Sequence, residues 1–263
     1  MSSLAYTFSD SATMLRRNLK HMIRYPSVTL LVIGMPIVFL LLFVFVLGDT
    51  LGAGLTGIEG GRAEYLKYVT PGILMMAIAG SAQGTAISVA MDMTTGIIAR
   101  FRTMAITRAA VLTGHVVGSV LQTLLGLVVV LATAILLGFR PDAGPLDYLA
   151  LLGVLTLIAL ALTWVSTALG MVSKTVEGAS NLPMPLILLP FLGSGFVPTD
   201  SMPVGLRWFA EYQPFTPFIE TIRGLLLGTP MGSSAIQTVV WCVGLSVLCY
   251  VWSLKLYNRD PNR

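Results

Sequence analysis

Charged residues are scarce in this chain. Asp, Glu, Lys and Arg make up 11% of its 263 residues, whereas 55% are hydrophobic. Ordinary soluble domains carry about 25% charged residues, so the composition argues against a water-soluble fold. The formal net charge of +4 comes from basic residues in short stretches beside apolar runs, a distribution that does not favour nucleic-acid binding.

Charge is absent from six long intervals: 25 to 48, 68 to 91, 109 to 139, 148 to 173, 178 to 199 and 224 to 254. A helix rises about 1.5 Å per residue and the bilayer core is about 30 Å thick, so about 20 apolar residues are enough to span it. The intervals lack the two-residue alternation of membrane β-strands. The sequence therefore predicts an all-α polytopic membrane protein with six transmembrane helices at about 27–47, 68–91, 110–137, 148–172, 179–197 and 235–254.

Lys and Arg are unevenly divided between the two sets of loops that these spans create. Eleven of the 16 basic residues fall on the side of the termini and five fall on the other side. Because cytoplasmic loops of membrane proteins carry the excess of Lys and Arg, we expect both termini to lie in the cytoplasm.

Side chains that could catalyse a reaction or bind a metal are also few. The chain has two cysteines and two histidines, and its spans contain no carboxylate, so no catalytic, cofactor-binding or metal site is predicted. Ser194 lies far in depth from His115, which we expect to be structural or interfacial, and Gly170–Thr175 lacks the glycine that precedes lysine in a phosphate-binding loop. Transport driven by an ion gradient is also disfavoured, because it needs ionisable residues within the spans and these spans have few.

Two segments outside the spans are amphipathic. Residues 9–25 predict a helix that lies along the cytoplasmic leaflet or packs on a partner protein. Residues 92–108 mix charge with apolar side chains such as Phe101, as an interfacial or partner-docking helix would. A bundle without its own energy source, but with docking surfaces on its cytoplasmic side, indicates a permease subunit.

The fifth span and the segment after it have unusual composition. Asn181 and three prolines within 179–197 predict an irregular membrane helix. Residues 198–231 are too apolar for a free loop, and we expect two short helices, broken near Pro214, that form a re-entrant hairpin at the outer membrane boundary. Gln83, Asn181 and Phe191 are candidate substrate-path residues, although helix-to-helix hydrogen bonding is the favoured role for any single polar residue of the second span.

Three stretches of the chain together carry a recognisable pattern. They are Leu15–Lys20 through Pro26 with Pro36 and Phe39–Phe43; Tyr68–Ile73 leading to Asp92, Gly96, Ile97, Arg100–Arg102 and Arg108; and Phe196–Pro198 with Met202-Pro203, Pro214–Pro217 and Arg223-Gly224. In these stretches the chain resembles the type-2 permeases of ATP-binding-cassette exporters, in particular the daunorubicin-resistance permease subfamily of bacteria. It departs from the subfamily at Met104-Ala105, where a Leu-Pro pair is usual.

The resemblance implies a half-transporter in a bacterial cell membrane. Two permeases, identical or related, would each engage an ATP-binding-cassette ATPase subunit that binds ATP and Mg²⁺, and residues 92–108 would form the coupling helix. The substrates would be hydrophobic or amphiphilic drugs or lipids. A glycan or lipid-linked polysaccharide is the alternative cargo, and a membrane-embedded lipid-modifying enzyme is the alternative of a different class.

The resemblance also implies which residues couple the permease to the ATPase. The competing interpretation is that the charged residues of this set only determine the orientation of the chain in the membrane. The coupling residues would be Asp92, Gly96, Arg100, Phe101, Arg102 and Arg108.

Overall fold

The computed structural model describes residues 26–56, 61–94, 108–173 and 175–258. All regular secondary structure in these residues is helical. The predicted amphipathic helix at 9–25 and most of the predicted coupling helix at 92–108 lie outside them. The elements are α1 (Pro26–Leu42), a π-helical turn (Phe43–Leu47), α2 (Gly48–Thr56), α3 (Gly61–Thr94), α4 (Arg108–Leu136), α5 (Pro145–Val172), α6 (Val176–Asn181), α7 (Met184–Leu188), a 3-10 turn (Thr199–Ser201), α8 (Val204–Tyr212), α9 (Phe215–Leu227) and α10 (Ser234–Asn258).

Five helices in the described residues are long and apolar enough to cross a membrane. Each overlaps one of the predicted spans. The second is longer at both ends than the 68–91 expected from charge spacing, because a helix continues through polar residues once they have partners. The five are Ile33–Gly54, Gly61–Thr94, Leu112–Leu136, Pro145–Val172 and Ser234–Leu256.

The predicted fifth span, 179–197, is not a continuous helix. α6 ends at Asn181, α7 covers Met184–Leu188, and turns occupy residues 189–196. Proline lacks a backbone N–H and its ring clashes with the preceding turn, so Pro183, Pro185 and Pro190 prevent a regular helix here. The described residues therefore hold five long membrane helices rather than six, and the remaining predicted span is a broken segment, residues 176–196.

This broken segment runs antiparallel alongside α3. Near one end, Gln83 Nε2 donates a hydrogen bond of 2.6 Å to the carbonyl oxygen of Ser180. Near the other, the Tyr65 hydroxyl donates one of 3.3 Å to the carbonyl oxygen of Phe196. These two positions on α3 are separated by about 27 Å at 1.5 Å per residue, which is close to the bilayer core thickness of about 30 Å.

α3 is the central helix of the bundle. It contacts α1, α2, α4, α5, α6, α7 and α9, and 72% of its most apolar window is buried, whereas the value for α10 is 17%. Small residues allow this packing: a Cβ added to Gly170 of α5 would lie 2.5 Å from the carbonyl oxygen of Ala86 on α3.

A buried hydrogen bond joins α3 to α4 in the middle of both helices. The hydroxyl oxygens of Ser81 and Thr123 lie 2.6 Å apart, and the Thr123 hydroxyl also lies 2.8 Å from the carbonyl oxygen of Ser119 one turn earlier. Ser81 is 8% exposed and Thr123 is 3% exposed. Ser81 and Thr123 therefore have a structural role, which is to join α3 to α4.

Residues 198–231 contain two helices of opposite character, which meet at Gln213-Pro214 near the predicted break. α8 is amphipathic and exposes apolar side chains, with Val204 87%, Trp208 64% and Tyr212 67% exposed. α9 is largely buried against α3, α5 and α10. The same segment thus forms one surface helix and one core helix.

Glycine permits the closest contact between α3 and the broken segment. A Cβ on Gly72 would lie 2.5 Å from the carbonyl oxygen of Gly195, and a Cβ on Gly195 would lie 2.7 Å from that of Pro190. Because these are backbone atoms, no side-chain rotation can relieve such a clash. The two glycines therefore fix how closely the broken segment approaches α3.

We expect Gly72→Ala to lower the free energy of unfolding by about 1–3 kcal/mol, the usual cost of overpacking. The measurement is the thermal unfolding midpoint of the purified protein in detergent. Gly80→Ala on the same helix is the matched control, because an added Cβ there has no heavy atom within 4 Å. A Gly72→Ala midpoint equal to that of Gly80→Ala would contradict the packing described.

Candidate functional site

Arg223 lies buried at the end of the bundle where α3 begins, which we call the Arg223 end. Its Nη1 pairs with Glu220, one turn earlier on α9. Its Nη2 donates hydrogen bonds of 2.7 Å to the carbonyl oxygen of Ser194 and 3.2 Å to that of Tyr68. Its guanidinium carbon lies 4.1 Å from the centroid of the Tyr68 ring, a cation–π contact. Arg223 thus joins α9, α3 and the broken segment.

The turns at residues 189–196, called the 189–196 turn below, receive side-chain hydrogen bonds from α3, from the α8–α9 junction and from α9. Besides Arg223 at Ser194 and Tyr65 at Phe196, Gln213 Nε2 donates to the carbonyl oxygen of Leu189 at 3.2 Å. Irregular backbone at membrane depth must find polar partners in protein or water. Charge and polarity at these donors were visible in sequence, but their common target was not, because it is a set of backbone carbonyls brought close only by folding.

Four phenylalanines form a cluster between the first membrane helix and the 189–196 turn. Phe191 and Phe196 stack in parallel, with ring centroids 4.2 Å apart, and Phe43 lies 4.8 Å from Phe196. Phe39, one turn before Phe43, lies 6.2 Å from Phe191. The π-helical turn begins at Phe43, and such turns are frequent at functional sites.

The three predicted path residues do not form one site within a single chain. Gln83 bonds to Ser180, the residue before Asn181, so these two predicted residues are neighbours near the end of α6. Phe191 lies further along the broken segment, in the aromatic cluster. All three nevertheless lie on the broken segment or on the face of α3 that contacts it.

Asp92, a predicted coupling residue, is buried at the opposite end of α3, which we call the Asp92 end. Its Oδ2 lies 2.9 Å from Nε2 of His115 on α4. The sequence predicts a structural or interfacial role for His115, but it does not indicate Asp92 as its partner, because the two residues are 23 positions apart. Arg108 is the first residue of α4, and Gly96, Arg100, Phe101 and Arg102 lie outside the described residues.

α8 carries a second, exposed set of charges at the Arg223 end. Arg207 Nε donates a hydrogen bond of 2.7 Å to Glu211, and Nη2 lies 2.7 Å from Asp200. The hydrogen bond to Glu211 and the negative charge of Asp200 raise the pKa of Arg207. Because these groups are in solvent, they contribute little to stability, unlike Arg223.

Long apolar helices packed around α3, with a broken segment beside it whose backbone is held by side chains, define a multi-pass membrane protein of the transport class. Residues 11–227 match the profile of the ABC-2 type transporter family. The chain belongs to this family and is a transmembrane permease of an ABC exporter. The resemblance noted in the sequence is thereby confirmed.

Two relatives indicate where the chain lies within this family. A daunorubicin resistance ABC transporter permease protein of Streptomyces coeruleorubidus is 30% identical over 247 residues, which cover 93% of this chain and 81% of that protein. A probable doxorubicin resistance ABC transporter permease protein of Mycobacterium tuberculosis is 26% identical over 227 residues, covering 86% of this chain and 80% of that protein.

We expect Arg223→Met to loosen the 189–196 turn, because hydrogen bonds from a charged group contribute about 1.5–3 kcal/mol. Ser194→Cys provides the probe: its side chain is 4% exposed and should react slowly with a polar maleimide. In purified protein, labelling of this cysteine should accelerate when Arg223→Met is added. Arg207→Met, which removes an exposed arginine, is the matched control and should leave the rate unchanged. Equal rates in the Arg223 and Arg207 variants would refute the role of Arg223.

Proposed function

We propose that this permease exports hydrophobic or amphiphilic drugs or lipids from a bacterial cell, driven by ATP and Mg²⁺ bound to a separate ATP-binding-cassette ATPase subunit. The observation that carries the proposal is the broken segment beside α3, whose exposed face is apolar and whose residues 178–196 include no Asp, Glu, Lys or Arg. One relative is named for daunorubicin resistance and the other for doxorubicin resistance, which supports a hydrophobic or amphiphilic drug as cargo. A charge-free path suits such a molecule better than a glycan.

A second permease would cover the exposed face of the broken segment. Leu182, Met184, Leu188 and Leu192 are 45%, 53%, 50% and 39% exposed, and they flank turns and short helices. Irregular backbone is not stable against lipid, so protein or a water-filled cavity must lie there. We infer that two permeases, identical or related, meet at this face with one ATPase subunit each, and that Gln83, Asn181 and Phe191 line the path between them.

The proposed topology has six crossings with both termini in the cytoplasm. The broken segment passes along about 27 Å of α3, which is the depth required of a sixth crossing. In this topology the Asp92 end would lie in the cytoplasm, consistent with the excess of basic residues expected on that side, and the Arg223 end would lie outside. α8 and α9 then form the re-entrant hairpin, with Trp208 and Tyr212 at the depth where aromatic residues prefer to lie.

The coupling segment, residues 92–108, would dock into the ATPase subunit at the cytoplasmic side. Asp92 and Arg108 lie at or near the ends of the two helices that flank it. Gly96, Arg100, Phe101 and Arg102 occupy its middle. In this arrangement α3 and α4 carry motion of the ATPase into the membrane, while the N-terminal amphipathic helix at 9–25 lies against the cytoplasmic leaflet nearby.

The proposal is tested by purifying the chain with its ATPase partner and reconstituting the complex in liposomes. We expect ATP-dependent movement of doxorubicin, followed by its fluorescence, and stimulation of ATP hydrolysis by the drug; the chain alone should hydrolyse no ATP. A partner with an inactivated nucleotide site is the control. Stimulation by lipid-linked sugars instead of drugs would favour the glycan alternative, and lipid turnover that needs no ATPase would favour a membrane enzyme.

The coupling role is tested by Phe101→Ala in the same complex. We expect this variant to lose drug-stimulated ATP hydrolysis, because the aromatic side chain is the largest apolar anchor available for docking. The loss should appear as a lower ratio of stimulated to basal ATP hydrolysis. Thr103→Ala, two residues away, is the control and should keep the wild-type ratio. Unchanged stimulation in Phe101→Ala would argue that residues 100–102 only determine the orientation of the chain in the membrane.

A further inference from the structure

The strongest observation outside the proposed path is the buried pair of Asp92 and His115 at the Asp92 end. Asp92 lies two residues before the end of α3, and His115 lies two turns inside α4. Their side chains are 9% and 6% exposed, and His115 Nε2 lies 2.9 Å from Asp92 Oδ2. The pair therefore connects the two helices that flank the coupling segment, close to where that segment leaves α3.

Two ionisable side chains are costly to bury at this position. Removing a carboxylate from water costs several kcal/mol unless hydrogen bonds compensate, and a well-packed apolar pair is often as stable or more so. What the Asp92–His115 pair adds is direction, because a histidine N–H that donates to a carboxylate fixes both the distance and the angle between the two side chains. Such a contact sets the relative position of the two helices more strictly than apolar packing does.

The same two helices share a second polar contact that serves as a comparison. Ser81 and Thr123 are joined by a neutral hydrogen bond of 2.6 Å, about 16 Å along α3 from Asp92. Both contacts are buried and both join α3 to α4. Of these two contacts, only the Asp92–His115 pair is made by ionisable side chains, and only this pair lies next to the coupling segment.

We propose that His115 is a positioning residue for coupling. By holding Asp92, it makes the ends of α3 and α4 move as one body when the ATPase moves the coupling segment. The movement then passes along α3 to the 189–196 turn at the opposite end, through the contacts of Tyr65, Gly72 and Tyr68. This inference rests on the proposed function, since it requires an ATPase at the Asp92 end.

The test measures amide hydrogen exchange in the full permease–ATPase complex, with and without trapping by ADP and vanadate. No transported substrate is needed. In the wild type, trapping should change exchange both in residues 92–107 and in the 189–196 turn. In His115→Ala, the change in residues 92–107 should persist and the change in the 189–196 turn should be lost.

Two control variants separate positioning from general helix packing. His115→Gln retains an N–H donor at similar reach and should restore the response of the 189–196 turn. Thr123→Val removes the neutral hydrogen bond between the same helices and should respond as the wild type does. A wild-type response in His115→Ala, or an equal loss in Thr123→Val, would overturn the proposal.

A third variant covers the case in which His115→Ala does not assemble with the ATPase. Asp92→Leu combined with His115→Phe replaces the buried ionisable pair by apolar side chains, an exchange that often preserves stability. Loss of the response at the 189–196 turn in this double variant supports the proposal, and a full response overturns it. A wild-type chain that forms no complex with any ATPase would instead contradict the proposed function itself.

Discussion

The constraint on which this structure depends is that backbone N–H and C=O groups in a membrane must find hydrogen-bond partners other than lipid, because lipid hydrocarbon offers none. Five long helices meet this requirement within themselves. The broken segment cannot, because its prolines remove donors and interrupt the hydrogen-bond pattern. Its carbonyl groups are instead satisfied by side chains from α3, the α8–α9 junction and α9, and the positions of Tyr65, Gln213 and Arg223 follow from that need.

The central position of α3 follows from the same requirement. A broken segment needs a regular helix beside it, and Gly72 lets the two backbones approach to a distance that any side chain would prevent. At one end α3 presents Tyr65 and Tyr68 to the broken segment and Arg223. At the other end it presents Asp92 to His115. One long helix therefore connects the two ends of the bundle at which charged side chains are buried.

Several features were predictable from local sequence. Charge-free runs predicted five of the helices, because a helix in lipid needs only length and apolarity. The prolines of 179–197 predicted irregularity, and Pro214 predicted the break between α8 and α9. The pairing of His115 with Asp92 was not predictable, nor was the convergence of Arg223 and Gln213 on one turn. These contacts join residues distant in the chain, and neither residue type nor spacing specifies such partners.

The sequence by itself determined that the protein is helical, lies in a membrane, and belongs with the permeases of ATP-binding-cassette exporters. Those properties follow from composition, from run length and from motifs that can be read locally. Only the tertiary structure decided that the segment at 179–197 is held as short helices and turns along α3. It also decided which buried ionisable side chains meet, because their partners depend on which helices pack together and at what depth.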